Sequence, residues 1–378
     1  MIPVKGKYSD ALICCREDLS GAAIEKYALS QVQLICDTEV LKGSRIRVMP
    51  DVHPGKTGPI GLTMTVGDAV LPRLIGIDIG CGVTAVKLDK FRDDFKKLDT
   101  VIREKVPAGF NIRQEPHPKA EGFELDLLRC VKHIRKENAL LSLGTLGGGN
   151  HFIEIDKSEE GEVYLIVHSG SRHLGKEVAD FYMGSGSKIL KKEGKDVPYE
   201  MTYLTGELRD DYLHDIGIVQ KYAALNRSII IREICKGMKW KAGEEISCIH
   251  NYIDFGMDTH VMRKGAISAK KYETVIIPIN MKDGVMIGKG LGNEDWNYSA
   301  PHGSGRIASR ESIAKTHTVS EYKAVMKGIY SSCIGAGTLD EAPFAYRGIE
   351  YLKEAVKETV NIEKVLTPAY SFKGGNEK

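Results

Sequence analysis

The sequence predicts an α+β protein built as one large mixed domain, residues 1–378, around central β-sheets. Short apolar runs bounded by Gly, Pro and Asp recur along the chain, as is typical of strands. Longer stretches carry apolar residues at helical spacing. No internal repeat, low-complexity tract or Pro/Ser-rich linker divides the chain, which is long enough to bury a large core.

The first ninety residues alternate short apolar runs with turns, which predicts strands at Arg45–Met49, Gly61–Val66 and Leu74–Ile79. Glycine then becomes scarce and charges recur at helical spacing, which predicts helices at Phe91–Val106 and Leu125–Leu141. Two strands beside glycine-rich turns follow at His151–Ile155 and Val163–His168.

The second half predicts long helices first and then a mixture. Helices are expected from about Gly175 to Lys192 and within Glu207–Lys239, followed by strands at Ser247–Ile253 and Thr274–Asn280. Thr318 and Glu321 have the spacing of a capping box, which predicts a helix ending near Tyr330. The amphipathic stretch Gly348–Val360 predicts a last helix before an extended segment that ends at Phe372-Lys373-Gly374.

The composition is that of an ordinary globular protein. Lys and Arg number 53 against 51 Asp and Glu, with 42% hydrophobic and 28% charged residues, which argues against disorder and a general nucleic-acid-binding coat. The eight cysteines form no CxxC pair, so we expect a reducing cytoplasm. The sequence has neither a signal-peptide pattern nor an apolar run of about 18 residues, so we expect no membrane role.

Asp78 and Cys81 lie three residues apart in a glycine-rich turn after an apolar run. A carboxylate and a thiolate together suit a borderline metal such as Zn or Mn, and glycines let the backbone approach closely. Alone, the pair is more easily a turn aspartate and an inert buried cysteine. It becomes informative only with further ligands.

Three histidines occupy junctions between an apolar strand and a polar segment. His151 follows a glycine run and begins a strand, while His168 and His250 end strands. Any one of them alone is more easily a structural histidine. Together with Asp78 and Cys81, they predict a metal site, because such junctions position ligands rigidly. Five ligands are enough for two ions that share one ligand.

A second cluster centres on His302-Gly303-Ser304-Gly305-Arg306, with Arg310 one helical turn later. Gly-Ser-Gly offers backbone N–H donors for a phosphate, and the arginines can neutralise its charge. His302 is then a candidate general acid/base, ligand or nucleophile. The alternative is a polar surface turn that leads into a helix. Neither a Walker A motif nor a GxGxxG motif is present.

Other residues give weaker signals. Asp51 and His53 are candidates to orient metal ligands, with a simple Asx-type turn as an equal explanation. Arg263 and Lys264 are candidates for phosphate contact, although exposed basic pairs are usually solvated.

Taken in order along the chain, these motifs are similar to those of a known protein family. The chain resembles the RtcB-type RNA ligases, which act in tRNA splicing and RNA repair. The resemblance runs nearly end to end, through MPDVHPG, GIDIGCGV, LGTLGGGNHFIE, VHSGSR, HNY, RKGAI, HGSGR, DEAP and the Lys-Gly near the end. It implies an α+β fold whose sheets surround a metal and nucleotide cleft.

The resemblance also implies roles for individual residues. Two Mn²⁺ ions would bind Asp78, Cys81, His151, His168 and His250, with Cys81 bridging them, and His302 would carry a covalent guanylate. Gly303, Ser304 and Gly305 would line the nucleotide, and Asn150 and Asn251 would contact its phosphates. Guanine would be contacted by Phe152, Glu154, Tyr346 and Lys373. A carboxylate at Glu154 suits this role, since it can accept hydrogen bonds from guanine N1 and N2 together.

The implied activity joins an RNA end bearing a 2′,3′-cyclic phosphate or 3′-phosphate to one bearing a 5′-hydroxyl, with GTP as cosubstrate. His302 would attack the α-phosphate of GTP, pass guanylate to the RNA 3′-phosphate, and the 5′-hydroxyl would then displace it. Attack by a neutral His302 requires an acceptor for its other ring nitrogen, which the sequence does not identify. The resemblance implies RNA as partner, and an archease-type protein is a candidate activator.

The chain departs from the family at two places. Where the family usually has PGSMG, it reads Pro278-Ile279-Asn280-Met281-Lys282-Asp283-Gly284, and no serine of the guanine pocket matches near Val285. HSGSR is followed by His173 in place of the usual glycine. The preference for GTP over other nucleotides and the physiological RNA are therefore left open, as is the oligomeric state.

Two alternatives remain at this stage. A metal-dependent RNA-end phosphodiesterase or phosphatase would need the five metal ligands but neither His302 nor a guanine pocket. A non-catalytic RNA-binding protein would need none of them, and it is disfavoured because every expected ligand and the nucleophile are present.

Overall fold

The computed structural model of the chain describes residues 1–15 and 24–374, and its mixed helices and sheets confirm the predicted α+β class. The strands are β1 (Ile2–Val4), β2 (Ala11–Ile13), β3 (Ile46–His53), β4 (Ile60–Thr65), β5 (Gly82–Lys90), β6 (Phe152–Lys157), β7 (Val163–Ser169), β8 (Lys241–Ile249), β9 (Asn251–Asp254), β10 (Val261–Lys264), β11 (Ala266–Ser268), β12 (Thr274–Asn280), β13 (Gly284–Gly290), β14 (Ser299–Pro301) and β15 (Val360–Lys373). The α-helices are α1 (Lys26–Cys36), α2 (Pro72–Ile75), α3 (Phe95–Lys105), α4 (Lys136–Ser142), α5 (Arg172–Lys192), α6 (Gly206–Met238), α7 (Arg310–Thr316), α8 (Val319–Val325) and α9 (Ile349–Ala355).

The strands form three sheets. A seven-stranded antiparallel sheet has the order β12-β13-β15-β6-β7-β5-β8, and a six-stranded sheet has the order β1-β2-β3-β4-β10-β9. Strands β11 and β14 form a short separate pair. In the six-stranded sheet β2 and β3 run parallel, while the other pairs are antiparallel.

The seven-stranded sheet carries an apolar core on each face. Along β6, Ile153 and Ile155 point into a core that is shared with α3 and α6. Phe152, on the opposite face of the same strand, belongs to a core shared with β12, β13 and α9. Burial on both faces fixes the strand register, because a shift of one residue would exchange the two sets of side chains.

The two large sheets meet at His250. Strand β8 ends at Ile249 in one sheet and β9 begins at Asn251 in the other, so the predicted strand Ser247–Ile253 is divided here. The His250 N–H donates to the Cys81 carbonyl at 2.9 Å, and its carbonyl accepts from Gly265 at 2.7 Å. These contacts hold the Cys81 turn and the His250 junction together.

Two sequence predictions are wrong in detail. Leu74–Ile79 is not a strand, because Pro72 begins the short helix α2 and Gly76, with φ of 98°, ends it. The stretch Leu125–Leu141 is not one helix, since it forms short 3₁₀ turns before α4. The Asp215 carboxylate accepts from the backbone N–H groups of Arg129 and Cys130 at 2.8 and 3.0 Å, which replaces helical hydrogen bonds there.

The other predicted elements are found with modest changes at their ends. The capping box at Thr318 and Glu321 is present, but α8 ends at Val325 instead of near Tyr330, ahead of Gly328 with φ of 97°. The last predicted helix ends at Ala355 instead of Val360, and the extended segment predicted after it forms β15, an interior strand of the seven-stranded sheet. No helix in the described ranges is both long enough and apolar enough to cross a membrane.

Candidate functional site

The five predicted metal ligands lie together where the two large sheets meet. Cys81 Sγ is 3.4 Å from His151 Nε2 and 3.3 Å from His168 Nε2. His168 Nε2 is 3.0 Å from His250 Nε2, and His151 Nε2 is 3.1 Å from an Asp78 carboxylate oxygen. We call these five side chains the ligand cluster.

Backbone carbonyls set the orientation of two of the histidines. His151 Nδ1 donates to the Leu146 carbonyl at 2.8 Å, and His168 Nδ1 donates to the Asn150 carbonyl at 3.1 Å. Because a carbonyl only accepts, Nδ1 carries the proton in both rings. The Nε2 lone pairs therefore point into the cluster, which is the arrangement of metal-binding histidines.

Burial controls the charges of the ligand cluster. Desolvation lowers the pKa values of His168 and His250 well below their usual range, so both rings are neutral. Burial and the Asp78 charge raise the pKa of the Cys81 thiol. Burial would also raise the pKa of Asp78, but the hydrogen bond and charge that His151 supplies when its ring is protonated, together with the charge of Arg172, bring it well below its usual value. The cluster therefore presents imidazole lone pairs and an ionised carboxylate to a metal ion, while the Cys81 thiol keeps its proton when no metal is bound.

This donor set fits divalent cations. Cys81, His151 and His168 place one ligand atom each within 4.8 Å of one another, and all three are buried. Carboxylate, imidazole and sulfur together suit Mn²⁺ or Zn²⁺, and a cation beside the thiol would favour its ionised form. The assignment of all five residues as metal ligands stays a prediction.

Arg227 and Asn226, on α6, support the ligand cluster from behind, and the sequence analysis missed both. Arg227 donates from Nη1 to the carbonyls of Gly80 and Ser169 at 2.9 and 3.0 Å. Asn226 accepts from the N–H of Gly144 at 2.7 Å and donates to Ser169 Oγ at 3.0 Å. The only sequence signal was a polar pair just before the apolar run Ile229–Ile231, and the structure shows that both residues of the pair are buried.

Asp51 is the acceptor that the nucleophile hypothesis required for His302. Its carboxylate accepts from His302 Nδ1 at 2.7 Å and is fully buried. The proton on Nδ1 leaves Nε2 as the nitrogen with a free lone pair. The ring of His302 lies 4.9 Å from that of His250, so it adjoins the ligand cluster. Asp51 therefore orients His302 and not a metal ligand.

His53, the other candidate for orienting a ligand, contacts the Asp51 backbone. Its Nδ1 lies 2.9 Å from the Asp51 carbonyl, and burial lowers the pKa of His53 to about 4. It lines the same cleft as His302. This contact uses the Asp51 backbone carbonyl and not its carboxylate, so it is neither an Asx-type turn nor a hydrogen bond to a predicted metal ligand.

A cleft of about 780 Å³ opens beside His302, and we call it the nucleotide cleft. Most residues that the resemblance assigns to the nucleotide line it, namely Asn150, Phe152, Glu154, Gly303, Ser304, Gly305, Tyr346 and Lys373. Asn251 is not among the lining residues. Its side chain donates to the Asp78 carbonyl at 3.3 Å and accepts from the Gly265 N–H at 3.0 Å.

The glycine-rich segment after His302 is built into the wall of the cleft. Ser304 is buried and donates from Oγ to the Ile279 carbonyl at 2.7 Å. Gly305 has φ of 76°, and a Cβ there would lie 2.9 Å from the Asp51 carbonyl oxygen, so a larger residue would disturb Asp51. A simple polar surface turn is therefore excluded.

The segment that departs from the family lies in the same wall. Pro278, Ile279, Asn280 and Met281 line the nucleotide cleft, as does Gly284. Asn280 Oδ1 accepts from the N–H of Lys282 and Asp283 at 2.9 and 3.0 Å, which makes a closed turn.

Two buried carboxyl groups lie along β6 beneath the cleft. Glu154 accepts from Ser371 Oγ at 2.8 Å, and desolvation raises the pKa of Glu154 to about 7. Two residues on, neither oxygen of Asp156 has a hydrogen-bond partner in the described part of the chain. Burial and the charge of Glu154 raise the pKa of Asp156 well above its usual value, so Asp156 is neutral.

Glu341 neutralises the positive charges of the cleft, and the sequence analysis noted it only as part of the DEAP motif. It is buried and accepts from Tyr346 OH at 2.5 Å, from Lys373 Nζ at 3.1 Å and from Arg306 at 3.4 Å. Arg310 forms a further ion pair with it. Burial alone would raise the pKa of Glu341, but Lys373 and Arg310 hold it below its usual value.

Arg263 and Lys264 are buried and do not line the nucleotide cleft, so neither a phosphate contact nor a solvated surface pair describes them. Arg263 is fully buried and donates to Asp254 at 2.9 Å and to Tyr252 OH at 2.8 Å. Lys264 is buried and donates to backbone carbonyls, including that of Arg73 at 3.1 Å. Both residues tie loops together.

Comparison with known proteins agrees with these observations. The family described as "tRNA-splicing ligase RtcB" matches residues 33–128 and 118–374. "RNA-splicing ligase RtcB" of Escherichia coli strain K12 is 31% identical over 368 residues, which cover 87% of this chain and 90% of the relative. "RNA-splicing ligase RtcB2" of Escherichia coli strain ATCC 25922 is 28% identical over 386 residues, with 91% of each chain covered. "tRNA-splicing ligase RtcB" of Pyrobaculum aerophilum is 27% identical over 414 residues, covering 84% of this chain and 85% of the relative.

The family match spans well over half of the chain, and the aligned regions include the ligand cluster, His302 and the nucleotide cleft. The resemblance first seen in the sequence motifs is thereby confirmed, and the chain belongs to the RtcB family.

Proposed function

We propose that this protein is an RNA ligase that joins 2′,3′-cyclic phosphate or 3′-phosphate ends to 5′-hydroxyl ends, with GTP and two Mn²⁺ ions, in RNA repair or tRNA splicing. The names of its relatives support RNA joining. One observation carries the proposal. His302 is held by the buried Asp51 with Nε2 free, beside the ligand cluster and in the wall of the nucleotide cleft.

The ligand cluster is proposed to hold the metal ions. Asp78, Cys81, His151, His168 and His250 would be the ligands, with Cys81 shared. Bound Mn²⁺ would neutralise charge on the reacting phosphate oxygens.

The nucleotide cleft is proposed to select guanine. Glu154, when ionised, accepts from guanine N1–H and the N2 amino group, and Phe152 offers an aromatic face beside it. Tyr346 and Lys373 reach the same cleft from the Glu341 side. Gly303, Ser304 and Gly305 follow His302 directly, and the Asn150 carbonyl contacts His168 of the ligand cluster, which supports phosphate contacts from these four residues. Asn251 would act from beside the ligand cluster.

The chain's own groups account for the bond changes. His302 Nε2 attacks the α-phosphorus of GTP, a P–N bond forms and pyrophosphate leaves. An RNA 3′-phosphate oxygen then displaces the histidine and takes the guanylate. The 5′-hydroxyl oxygen attacks the activated phosphate, GMP leaves, and the hydroxyl proton passes to solvent. A cyclic phosphate is first hydrolysed to a 3′-phosphate. Asp51 stabilises the ring charge that develops when His302 reacts.

The setting of the enzyme is part of the same proposal. Residues 1–378 would act as one catalytic unit, with RNA as the partner and an archease-type protein as a candidate activator. Cys14, Cys36, Cys81, Cys130, Cys235, Cys248 and Cys333 are free thiols, which supports action in a reducing cytoplasm.

The test is a search for covalent guanylate. The purified protein and a His302→Ala variant are incubated with Mn²⁺ and α-labelled GTP, and protein-bound label is measured after denaturation. His214→Ala, which removes a half-exposed histidine on α6, is the matched control. We expect label on the parent and on His214→Ala, and none on His302→Ala.

The opposite results are equally informative. If no protein is labelled while the parent and His302→Ala both open a cyclic phosphate end, the phosphodiesterase alternative replaces the ligase. Equal labelling of the parent with ATP would instead show that the Pro278–Gly284 wall has changed the base preference.

A further inference from the structure

Asp51 orients His302, yet only one of its two carboxylate oxygens has a hydrogen-bond partner in the described part of the chain. That oxygen accepts from His302 Nδ1 at 2.7 Å, whereas Oδ1 is buried and unpartnered. The Asp51 side chain has no exposed surface. A carboxylate in such a setting takes up a proton unless a positive charge lies nearby, and a neutral acid would hold the Nδ1–H of His302 much more weakly.

The titratable groups that face Asp51 from β2, β3 and α9 supply no positive charge. Burial lowers the pKa of His53 to about 4, so its ring is neutral. Burial raises the pKa of the Cys14 thiol to about 12 and also raises the pKa of Tyr351. Strand β4 approaches Oδ1 at Gly61, which has no side chain. The charge that keeps Asp51 ionised must therefore come from another side.

Two arginines lie on the side of His302, and their donors are used differently. Arg306 donates to Glu341 at 3.4 Å and to Tyr346 OH at 3.0 Å, so its charge is matched within the nucleotide cleft. Nε and Nη1 of Arg347 are buried, and neither has a hydrogen-bond partner within residues 1–15 and 24–374. Arg347 is therefore the arginine whose donors the cleft does not use.

The backbone holds the Arg347 guanidinium close to Asp51. A Cβ added to Gly305 would lie 2.5 Å from Arg347 Nη1 and 2.9 Å from the Asp51 carbonyl oxygen, so both groups flank Gly305. The Arg347 N–H donates to the Gly305 carbonyl at 3.0 Å. The guanidinium lies 5.0 Å from the centre of the Tyr351 ring, and Tyr351 OH donates to the Pro50 carbonyl at 3.0 Å. Arg347 is thus fixed beside the residue that it would neutralise.

We propose that Arg347 is a positioning residue for guanylylation: its charge keeps Asp51 ionised, and the ionised Asp51 holds the Nδ1 proton of His302 so that Nε2 can attack. This inference rests on the proposed guanylylation of His302. It adds a second residue behind the nucleophile, which acts through Asp51 and not on the nucleotide.

The test compares guanylylation rates of single and double variants, measured with Mn²⁺ and α-labelled GTP. Arg347→Met removes the charge but keeps an aliphatic chain over Tyr351, and Arg347→Lys keeps a positive charge. Arg347→Met is also combined with Asp51→Asn, so that the effect of Arg347 is measured with and without the carboxylate. Arg129→Met, which removes the charge of a 62% exposed arginine, is the matched control.

We expect Arg347→Met to lower the guanylylation rate at pH 7 by about 10-fold, because one nearby opposite charge changes the proton affinity of a carboxylate by about one to three orders of magnitude. GTP affinity and bound manganese should stay near parent values. Arg347→Lys should recover most of the rate, and Arg129→Met should match the parent. In the Asp51→Asn background, Arg347→Met should cause no further loss, since the group through which Arg347 acts is already neutral.

Proton NMR of protein labelled with ¹⁵N-histidine tests the same contact without any reaction. The Nδ1 proton of His302 is the resonance that disappears in His302→Ala. At pH 7 this resonance should move in Arg347→Met toward its position in Asp51→Asn, because a neutral partner accepts a weaker hydrogen bond than a carboxylate. In Arg347→Lys it should stay near the parent position.

Three results would each overturn the inference: an unchanged rate in Arg347→Met, the same fractional loss with and without the Asp51 carboxylate, or a His302 proton that stays at the parent position in Arg347→Met. A fall in GTP affinity that accounts for the whole rate loss would likewise make Arg347 a nucleotide contact instead. A parent that takes no label contradicts the ligase proposal, and the NMR comparison then still decides whether Arg347 controls the hydrogen bond between Asp51 and His302.

Discussion

The ligand cluster and the nucleotide cleft meet at His302, but their polar groups are satisfied in opposite ways. In the cluster, the carbonyls of Leu146 and Asn150 accept hydrogen bonds from Nδ1 of His151 and His168, which leaves the Nε2 lone pairs of both rings beside Cys81 Sγ. In the cleft, the cations and Tyr346 already have a common acceptor, Glu341. The first region therefore offers its donor atoms to a cation, while the second has its charges balanced within the protein.

This difference has a consequence for function. The lone pairs of the ligand cluster need a cation as their common partner. Loss of one ligand should therefore abolish metal binding and activity, because the remaining ligands repel one another when no cation lies between them. A cleft whose charges are balanced internally should still bind a nucleotide after a substitution, with altered affinity or base preference. The following variants test that contrast.

The largest effect is expected in the ligand cluster. Cys81→Ala removes the side chain that contacts both His151 and His168. RNA joining should fall by at least about 10³-fold, the scale of losing one member of a catalytic unit, and manganese bound per chain should drop. Mass spectrometry of bound metal and a gel assay of joined RNA measure the two effects. Cys36→Ala, a buried thiol on α1, should retain both metal and activity, and full metal content in Cys81→Ala would contradict the assignment.

The second-largest effect is expected at Asp51, which holds His302 where the ligand cluster and the nucleotide cleft meet. Asp51→Asn keeps the shape of the side chain but removes the charge that holds Nδ1–H of His302. The rate of guanylylation should fall by about 10²- to 10⁴-fold, as when a catalytic histidine loses its orienting carboxylate. GTP affinity and bound manganese should stay near parent values. A variant that labels at the parent rate would show that Asp51 is only structural.

A smaller effect, on stability, is expected in the cleft. Glu341→Gln leaves Lys373 and Arg306 without their buried anionic partner. Breaking such a buried arrangement costs about 3 kcal/mol of unfolding free energy. Urea unfolding of the single variant and of Glu341→Gln/Lys373→Met measures it. The double variant should recover part of the loss, because it removes one uncompensated charge, and an additive loss would exclude this coupling.

The contrast between the ligand cluster and the nucleotide cleft also explains which parts of the site could be predicted from the sequence. His151, His168 and His250 could be predicted as a group because each ends or begins an apolar strand, and strand ends bring side chains to a shared edge. The structure brings Asp78 and Cys81 together with these histidines, although Leu74–Ile79 is not the strand assumed there. Local chemistry was sufficient to group these side chains.

Partners distant in the sequence were not predictable in this way. Asp51 and His302 are 251 residues apart and adjoin only because β3 and the segment after β14 converge. Asp215 prevents a continuous helix at Leu125–Leu141 from a position on α6. Arg263 and Lys264 looked like a surface pair, since a local pattern contains no information on the carboxylate and carbonyls that bury them. A charged residue can be predicted as buried only when the residue that pairs with it is known.

The smallest effect tests how the cleft holds guanine, through the charge of Glu154. Burial raises the pKa of Glu154 to about 7, and only the ionised carboxylate accepts from both N1–H and the N2 amino group of guanine. Affinity for GDP should therefore decrease as the pH falls from 8 to 6, by about tenfold, since the ionised fraction falls from about nine-tenths to one-tenth. Glu154→Gln should bind GDP weakly with no such slope. The Ser371 hydroxyl donates to Glu154 and thereby lowers the pKa of Glu154. In Ser371→Ala this hydrogen bond is lost, so the midpoint of the pH dependence of GDP affinity should shift to higher pH. Calorimetric titrations at several pH values measure the GDP affinity of the parent and of the two variants. An affinity of the parent that does not change with pH would show that Glu154 does not hold the base through its charge.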